Sequence, residues 1–400
     1  MKLARPLAIA LTAVLGAASA MQAAGTQPTA VTSSFPLKIF KEVAKGRSTE
    51  NVLISPYSIS TALTMTYLGA AGGTKTAMGD VLNLTGTEAD IGTHCKEVRD
   101  SLQNPGANTQ LAIANALFAD KEIKFKDQFL NANKQYFNAG VTALDFKAPS
   151  SPGAINNFVS ESTHGKITRI VDKIPDDAIL YLVNAIYFKG NWENKFDKNA
   201  TQPRAFHLAG GQSKDMPMMN MHRSDFRYFE TSDFQAINLG YADKRLSMYV
   251  FLPKESTTLD AFEAQLNDTT WSKWKGQFRF KEGNLSMPKF LISDDMKLKA
   301  PLSAMGMQVA FSRKNADFTD MNSIEHPCIS EVLHKTYMEV NEEGTEAAAV
   351  TSVGMMKTAT MHMPEQPFNM IVDRPYFIAL RDSKTDTLLF VGHIADPSAK

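Results

Sequence analysis

Methionine and histidine side chains cluster in two short stretches of this sequence, where together they could bind a soft metal ion. Residues 216–222 read Met-Pro-Met-Met-Asn-Met-His, and residues 361–363 read Met-His-Met. Thioether sulfur and imidazole nitrogen are ligands that suit copper(I), but methionine also fills irregular gaps in apolar cores. His326 and Cys328 lie close together in the sequence without further zinc ligands beside them. We therefore expect no metal site and no cofactor.

A glycine-rich stretch at residues 68–76 resembles the loop that cradles phosphate groups in nucleotide-binding proteins. The phosphate loop needs a glycine directly before its lysine so that the backbone can wrap around the phosphate, whereas Thr74 precedes Lys75 here. The stretch also follows a predicted helix, which favours a helix C-terminus punctuated by glycine. The sequence contains no H-E-x-x-H, C-x-x-C or G-x-S-x-G motif. We therefore do not expect an enzyme.

The stretch at residues 342–352 has a composition that fits more than one type of local structure. It reads Glu-Glu-Gly-Thr-Glu-Ala-Ala-Ala-Val-Thr-Ser. The Glu-Ala-Ala-Ala run favours helix, but a strand of period 2 would bury no large or charged side chain. A segment that slides between two existing strands needs such a set, because buried charge or bulk would block its entry. The inward positions of this strand would be Thr345, Ala347, Ala349, Thr351 and Val353.

Length and composition are those of a globular protein. The 400 residues suffice for one large domain or two ordinary ones, and 44% of them are hydrophobic, enough for a sizeable core. Lys and Arg number 42, as do Asp and Glu, and no dense basic run is present. We therefore expect no nucleic-acid partner.

The first 24 residues have the pattern of a bacterial secretory signal peptide. Lys2 and Arg5 precede a mostly apolar run, and both Ala18-Ser19-Ala20 and Gln22-Ala23-Ala24 fit the pattern of a cleavage site. The apolar run is too short to span a bilayer comfortably. No later segment looks transmembrane, so we expect no membrane partner. The sequence predicts a protein that is exported to the periplasm or secreted.

Cys95 and Cys328 are the only cysteines of the chain. A disulfide between them is compatible with an oxidising compartment, but the sequence does not place their Cα atoms within bonding range. We favour two separate thiols.

Hydrophobic periodicity predicts helices mainly in the first third of the chain and strands after it. Helical spacing is found at residues 35–43, 58–68, 126–136 and 155–162. Strand-like runs occur at 180–188, 246–252 and 330–340. Two hairpins are predicted, one from 278–280 with 284–288 and one from 376–380 with 388–394. Helices followed by strands indicate the α+β class, and no repeat or linker divides residues 25–400 into smaller domains.

Six short motifs follow one another in a specific order along the chain. They lie at residues 51–60, 182–192, 287–290, 334–335, 342–348 and 373–376. Each is weak alone, but in this order and spacing they resemble the serpin family of serine and cysteine protease inhibitors. The resemblance covers about residues 33–397. The family usually has Trp where Phe158 stands and Phe where Tyr376 stands, and both replacements keep an aromatic ring.

The resemblance implies the serpin fold and the serpin mechanism. The fold is α+β, with about nine helices around three β-sheets and an exposed reactive-centre loop at about residues 344–366. A protease would cleave this loop as a substrate and form an acyl-enzyme. The freed loop would then insert into the main sheet as a new strand and trap the protease, so the inhibition would be irreversible.

Matching this sequence to the family position by position implies three groups of site residues. The hinge of the loop would be Glu342, Gly344, Thr345, Glu346, Ala347, Ala348, Ala349 and Val350. The shutter, a polar cluster beneath the opening region of the sheet, would be Ser55, Ser58, Asn184 and His334. The breach, where the loop first enters, would be Trp192, Lys289 and Glu342, with an ion pair expected between Lys289 and Glu342.

The bond that the protease cuts is placed by counting from Glu342 as in inhibitory members of the family. This gives Thr358–Ala359, with Lys357–Thr358 as the alternative. Lys357 would attract trypsin-like proteases, Thr358 elastase-like ones, and the nearby methionines proteases that accept long apolar side chains. We expect a broad range of partners among trypsin-like, elastase-like and subtilisin-like proteases, and a monomeric inhibitor.

The main alternative is a non-inhibitory, serpin-like protein that binds or chaperones another molecule. Non-inhibitory relatives often carry charge or proline at the hinge. The inward hinge positions of this chain carry neither, which favours the inhibitor.

Overall fold

Nine α-helices are present in the residues that the structure describes. The computed structural model describes residues 34–103, 109–322, 327–344 and 366–399. All four predicted helices are confirmed, and α6 begins at Ser151 rather than at residue 155 because Pro152 favours a helix start in the first turn. None of the helices in these ranges is long and apolar enough to cross a membrane. The helices are α1 Phe35–Ala44, α2 Pro56–Tyr67, α3 Gly72–Leu82, α4 Glu88–Leu102, α5 Asp127–Phe137, α6 Ser151–Ser162, α7 Leu259–Ala264, α8 Asp268–Lys275 and α9 Lys299–Leu302.

Fourteen strands are found in the same ranges, and they confirm the α+β class. The predicted strands at 180–188, 246–252 and 330–340 correspond to β4, β8 and β11. The strands are β1 Val52–Ile54, β2 Thr109–Asp120, β3 Gly140–Leu144, β4 Leu180–Gly190, β5 Gln202–His207, β6 Ser213–Glu230, β7 Phe234–Gly240, β8 Leu246–Pro253, β9 Arg279–Pro288, β10 Phe290–Lys297, β11 Glu331–Val340, β12 Phe368–Ile371, β13 Tyr376–Asp382 and β14 Leu388–Ile394.

One sheet has five strands in the order β10-β11-β4-β2-β3. Its central strand β4 is almost wholly buried, as its long apolar run requires. Strand β11 lies parallel to β4, while the outer neighbours β10 and β2 run antiparallel to these two strands. The α2 helix packs against β4 and β2, which places the N-terminus of that helix under the middle of the sheet.

The other nine strands form one hydrogen-bonded network, where the resemblance implied two separate sheets. The network has the order β1-β14-β13-β8-β7-β6-β9-β12, with β5 paired to β6. Strand β6 is 18 residues long; its first six residues pair with β5 and its last four pair with β7. Strand β6 is continuous from the part paired with β5 to the part paired with β7, so it joins two of the three expected sheets. The structure therefore contains two hydrogen-bonded networks in place of three sheets. The predicted hairpin of β13 and β14 is confirmed, and its two strands are neighbours in this network.

The hairpin predicted around residues 282–283 is wrong. Arg279–Pro288 is one continuous strand, β9, which pairs with β6 on one side and β12 on the other. Gly283 serves close packing rather than a turn. A Cβ atom there would lie 2.3 Å from the ring of Phe368, which the register places directly opposite.

The glycine-rich stretch at residues 68–76 joins two helices. Helix α2 ends at Tyr67 and α3 begins at Gly72, so no strand leads into the stretch. Thr74 is buried and accepts the backbone N–H of Asp317 through its hydroxyl at 2.9 Å. The ammonium group of Lys75 pairs with Glu88 and Asp320. The stretch therefore holds helices together, and its lysine is already engaged.

The methionines of residues 216–222 lie mostly in the core. Met216, Met218 and Met219 are buried in one apolar cluster, where methionine fills gaps between the sheets. His222 is exposed and contacts Asn284. Within the described residues, no group of three or more His, Cys, Asp or Glu side chains could hold a metal ion. Residues 361–363 and His326 lie outside the described ranges.

Candidate functional site

The centre of the five-stranded sheet is a direct seam between β4 and β11. Eight residue pairs are in parallel register, from Tyr181–Glu331 to Phe188–Met338. Parallel pairing is slightly less stable per residue than antiparallel pairing. A strand that entered between β4 and β11 in the opposite direction would replace this parallel pairing with two antiparallel ones.

A row of polar side chains crosses the buried face of this seam. Asn115 on β2 is directly opposite Asn184 on β4, which in turn is opposite His334 on β11. The Asn184 amide donates to Asn115 Oδ1, and its Oδ1 contacts His334 Nδ1. Asn184 and His334 are wholly inaccessible to solvent, so hydrogen bonds within the protein must satisfy both side chains.

The N-terminus of α2 completes the cluster from below the sheet. Ser55 is the N-cap of α2, and its hydroxyl accepts the backbone N–H of Ser58 at 3.2 Å. The Ser58 hydroxyl accepts from the Asn184 amide and donates to Asn115 Oδ1 at 3.2 Å. The structure therefore brings all four predicted shutter residues together in one buried network.

The tautomer of His334 is fixed by its neighbours. The backbone N–H of Ser55 donates to His334 Nε2 at 2.9 Å, so Nε2 carries no proton. The proton of the neutral ring is then on Nδ1, which donates to Asn184 Oδ1. Burial lowers the pKa of His334 to about 3, with a smaller opposing contribution from Asn184. The cluster is therefore held by an uncharged imidazole.

Two hydrogen bonds, one buried and one partly buried, join strands β11 and β10 to strand β1. Thr336 lies two residues after His334 and donates its hydroxyl to the carbonyl of Leu53 at 2.9 Å. The Leu53 backbone N–H donates to Asp294 Oδ2 on β10 at 3.0 Å. Burial raises the pKa of Asp294, although the hydrogen bond from Leu53 opposes that rise. If β4 separates from β11, then β10 and β11 either stay in place with β1 or lose the hydrogen bonds of Thr336 and Asp294 to Leu53.

Glu342 lies at the upper end of the seam in a buried position and is held by two donors. Lys289 Nζ lies 2.5 Å from Glu342 Oε1, and the Thr201 hydroxyl donates to the same oxygen at 2.6 Å. Burial opposes ionisation, but the hydrogen bonds from Lys289 and Thr201 outweigh it and lower the pKa of Glu342. The ion pair expected between Lys289 and Glu342 is thus present, and it holds a carboxylate that is only 4% exposed.

Trp192 anchors the same segment through its ring and its backbone. The indole Nε1–H donates to the carbonyl of Asn341 at 2.9 Å, and the backbone N–H donates to the carbonyl of Glu343 at 3.0 Å. The ring stacks on Tyr241 with 4.5 Å between centroids. The Phe196 N–H donates to the carbonyl of Glu342 at 2.9 Å. All three predicted breach residues therefore meet where β4 and β11 end.

Gly344 lies between the ends of the two strands. It forms antiparallel bridges both to Asn341, which follows β11, and to Asn191, which follows β4. Its φ is +104°, and a Cβ atom would lie 2.3 Å from the carbonyl oxygen of Gly190 and 2.4 Å from the nitrogen of Trp192. Only glycine fits this close approach.

The remaining hinge and loop positions lie outside the described residues. These positions are Thr345, Glu346, Ala347, Ala348, Ala349, Val350, Lys357, Thr358 and Ala359. Their roles, like those of the shutter and breach residues, stay predictions.

The sequence analysis missed several members of the site. Asn115 is a lone amide in an otherwise apolar run of β2, and this is the signal that could have found it. Thr201 and Thr336 carry no such signal, because threonine is common in strands and loops alike. Glu343 is held by Lys198, and nothing in the local sequence predicts that pairing.

The two cysteines are separate free thiols, as favoured from the sequence. Burial raises the pKa of the Cys95 thiol to about 12 and also raises that of Cys328. Neither thiol is therefore poised for reaction as a thiolate.

The chain is similar to known proteins over most of its length. A family model described as Serpin (serine protease inhibitor) matches residues 30–397. Serpin B6 of Macaca fascicularis is 35% identical over 374 residues, which cover 91% of this chain and 98% of that protein. The leukocyte elastase inhibitor of Sus scrofa is 35% identical over 382 residues, covering 93% and 100%. The solved structure of the thermophilic serpin tengpin in its native state aligns with a TM-score of 0.83 and 28% identity, over 91% of this chain and 93% of that one.

Proposed function

Because the chain belongs to the serpin family, we propose that it is an irreversible inhibitor of serine endopeptidases, and of cysteine endopeptidases as a second class. It acts as a suicide substrate rather than as an enzyme. The observation that carries the proposal is the position of Gly344, which bridges in antiparallel fashion to the residues that follow both β4 and β11. A strand continuing from Gly344 would enter the seam in the direction that pairs with both neighbours.

The chemistry begins as ordinary proteolysis. The serine hydroxyl of the protease attacks the carbonyl carbon of Thr358, or of Lys357 at the alternative bond. The carbon–nitrogen bond breaks, the amine of Ala359 or Thr358 leaves with a proton, and an ester joins the protease to the loop. Hydrolysis of that ester would release the protease, so inhibition requires that insertion be faster than deacylation.

The energy of insertion is sufficient for trapping. About a dozen newly ordered residues, each adding a net hydrogen bond of about 0.5–1.5 kcal/mol, gain on the order of 10 kcal/mol before packing is counted. This is comparable to the whole stability of an ordinary domain. The small side chains expected at the inward positions would fit the seam without overpacking it.

The hinge supports rapid entry. Gly344 bridges to the residues that follow β4 and β11, so a loop that inserted from there would start at the end of the seam. The first obstacle is the contact between Glu342 and its two donors, Lys289 and Thr201. The second is the neutral His334–Asn184 row, because β4 cannot separate from β11 while that contact persists.

We further propose that residues 1–24 direct export and are removed, so that the monomeric inhibitor acts in the periplasm or outside the cell on trypsin-like, elastase-like and subtilisin-like proteases. Expression of the full chain in a bacterium, followed by mass spectrometry of the exported protein, tests this. The mature N-terminus is expected after residue 20 or 24. An uncleaved N-terminus in the cytoplasm would overturn it.

The inhibitory function is tested by incubating the protein with trypsin, neutrophil-type elastase and subtilisin. We expect a covalent complex that resists SDS and a released C-terminal peptide whose mass identifies the cut bond. Cleaved protein should also melt far above intact protein, because the inserted strand adds hydrogen bonds and packing. A non-inhibitory binding protein would instead be cut without forming a complex, and its melting temperature would not rise.

A further inference from the structure

A cleft beside the hinge has the size of a small-molecule site. Its volume is about 560 Å³, within the range of roughly 300–1,000 Å³ that is typical of ligand pockets. One wall is the segment after β4, including Trp192, Glu193 and Phe196. Most of the remaining lining residues belong to β6, β7 and β8. The cleft contains none of the shutter residues.

Basic side chains outnumber acidic ones in the lining of this cleft. Five basic side chains line it against two acidic ones, Glu193 and Asp225. Some of this charge is already compensated, because Arg223 pairs with Asp225, Arg245 with Asp382, and Arg381 with Asp386. The five basic residues are Arg223, Arg227, Lys244, Arg245 and Arg381.

Two of these cations remain uncompensated. Within the described ranges, neither Arg227 nor Lys244 has an ion-pair partner, whereas the other three basic side chains do. Both belong to exposed residues. Lys244 lies in the β7–β8 turn, where its φ of +57° fixes the backbone in the left-handed region. A cleft that concentrates unpaired positive charge attracts anions.

The cleft also offers an aromatic surface. Phe280 is 70% exposed, and no other large hydrophobic residue in the described part of the chain is so exposed. The Arg227 guanidinium lies over its ring at 5.4 Å, as the register of β6 and β9 requires. Asn238 and Ser247, joined by a hydrogen bond of 3.0 Å, add polar groups to the floor. An exposed ring beside an unpaired guanidinium suits a ligand with both an apolar ring and a negative charge.

We propose that this cleft binds a small organic anion that carries an aromatic ring, such as an aryl sulfonate or aryl carboxylate. The ring packs on Phe280, and the acidic group is held by Arg227 and Lys244.

Such a ligand would lie against the residues that hold the hinge. The backbone N–H groups of Trp192 and Phe196 donate to the carbonyls of Glu343 and Glu342, and both residues line the cleft. The Glu193 N–H donates to the carbonyl of Gly240, another lining residue, at 2.9 Å. A bound anion therefore stiffens the segment that anchors the hinge and slows the departure of Glu342 from it. The slower departure of Glu342 rests on the proposed inhibitory function, whereas binding of the anion and stiffening of the segment do not.

Binding is tested by calorimetric titration of the full chain with two probes. One is 1-anilinonaphthalene-8-sulfonate, and the other is N-phenyl-1-naphthylamine, which has the same rings without the sulfonate. We expect the sulfonate to bind at one site at least tenfold more tightly than the neutral amine. Equal affinities, or no binding of either probe, would overturn the proposal because the charge would then contribute nothing.

Matched variants locate the site. Replacing Arg227 and Lys244 with Gln should weaken sulfonate binding at least tenfold. The control replaces Lys134 and Lys314, which are exposed and lie outside the cleft, with Gln, so that it loses the same charge and leaves binding unchanged. If the double variant does not fold, the single Lys244→Gln variant and Phe280→Ala replace it. Unchanged affinity in the cleft variants, or equal losses in the control, would refute the assignment.

The coupling to the hinge has its own measurement. Hydrogen exchange of the Trp192 and Phe196 amides should slow when the sulfonate is bound, and the rate of covalent complex formation with trypsin should fall. Slower exchange with an unchanged rate would retain the binding site and remove its regulatory role. If no protease forms a complex at all, the proposed function fails while the binding and exchange results still decide the site.

Discussion

His334 Nε2 accepts the backbone N–H of Ser55 at 2.9 Å, which joins strand β11 to the first turn of α2 through an uncharged ring. This bond and the contact of the other ring nitrogen with Asn184 allow only one protonation state. If the ring took up a second proton, that proton would be on Nε2 and would face the Ser55 N–H, which is itself a donor. Protonation of the imidazole in acid must therefore break its hydrogen bond with Ser55.

The first prediction is that stability falls in acid because of His334. Its pKa is about 3 in the folded protein and about 6.5 in an unfolded chain. Since the folded pKa is depressed, the contribution of His334 is full above pH 6.5 and is lost as pH falls toward 3. The expected slope is about 1.4 kcal/mol per pH unit in that window. Urea unfolding at several pH values measures it.

The comparison variant for this prediction is His334→Gln, which keeps hydrogen-bonding capacity but does not titrate. The difference between the two proteins removes the contribution of Asp294, whose pKa is raised by burial and which therefore titrates in the opposite sense. Parallel pH profiles for the two proteins would contradict the assignment to His334.

The second prediction concerns the Lys289–Glu342 ion pair. Lys289→Met should leave the buried Glu342 carboxylate without its charged partner, while the hydrogen bond from Thr201 remains. We expect the intact protein to lose about 1–2 kcal/mol, less than for a fully buried pair because Lys289 is partly exposed. The effect should vanish as pH falls through the lowered pKa of Glu342, since the neutral acid does not need the ammonium. Urea unfolding of both proteins from neutral pH down to the acid range in which Glu342 becomes protonated tests both parts.

A double-mutant cycle with Glu342→Gln isolates the pair from other effects of each substitution. The double variant should be more stable than the sum of the two single losses predicts. Strict additivity would mean that the two side chains do not stabilise each other.

The third prediction is that Gly344→Ala displaces the hinge. The added Cβ would collide with the backbone of Gly190 and Trp192, and the residue would keep a φ that only glycine adopts readily. We expect a loss of about 1–3 kcal/mol and faster hydrogen exchange at the Trp192 amide. Gly46→Ala is the matched control, because Gly46 has a φ of +75° and an added Cβ there would meet nothing within 4 Å. Equal effects at the two positions would mean that strain, rather than the collision, causes the loss.

The fourth prediction tests insertion itself. Thr345→Arg should convert the inhibitor into a substrate, because a guanidinium buried between strands costs several kcal/mol. Glu346→Arg places the same charge at the next position, which period-2 alternation directs outward, and should leave inhibition intact. The measurement is the fraction of neutrophil-type elastase that appears in SDS-stable complexes, because trypsin could also cut after the introduced arginine. The insertion model fails at this position if both variants form complexes at the wild-type stoichiometry.

The sequence predicted the strands of the seam better than the contacts within it. Strand β4 has a long apolar run, whereas apolar and polar residues largely alternate along β11, and these two patterns indicate the type and the approximate bounds of each strand. The resemblance then supplied Asn184, His334 and Glu342. Asn115 and Thr201 were missed because they reach the site through the register of β2 and through a loop, and such long-range pairings leave no periodic signal.

The error at β9 has a similar origin. A glycine after a charged residue normally indicates a turn between strands, but Gly283 makes room for the ring of Phe368, which is 85 residues away in the sequence and contributed by β12. Local reasoning cannot distinguish a glycine that bends the chain from one that admits a distant side chain.

The fifth prediction is that Tyr376→Phe stabilises the protein. Tyr376 is fully buried beside Phe206 and Phe290, and its hydroxyl has no hydrogen-bond partner in the described residues. Removing a buried, unsatisfied hydroxyl should gain about 1–3 kcal/mol, and phenylalanine is also the residue that the family usually carries there. Tyr228→Phe is the opposite case, because that hydroxyl accepts the Gln235 amide at 2.9 Å, and should lower stability. Thermal melting of the two variants decides the matter, and a loss of stability in both would place a bound partner, such as a water molecule, on the Tyr376 hydroxyl.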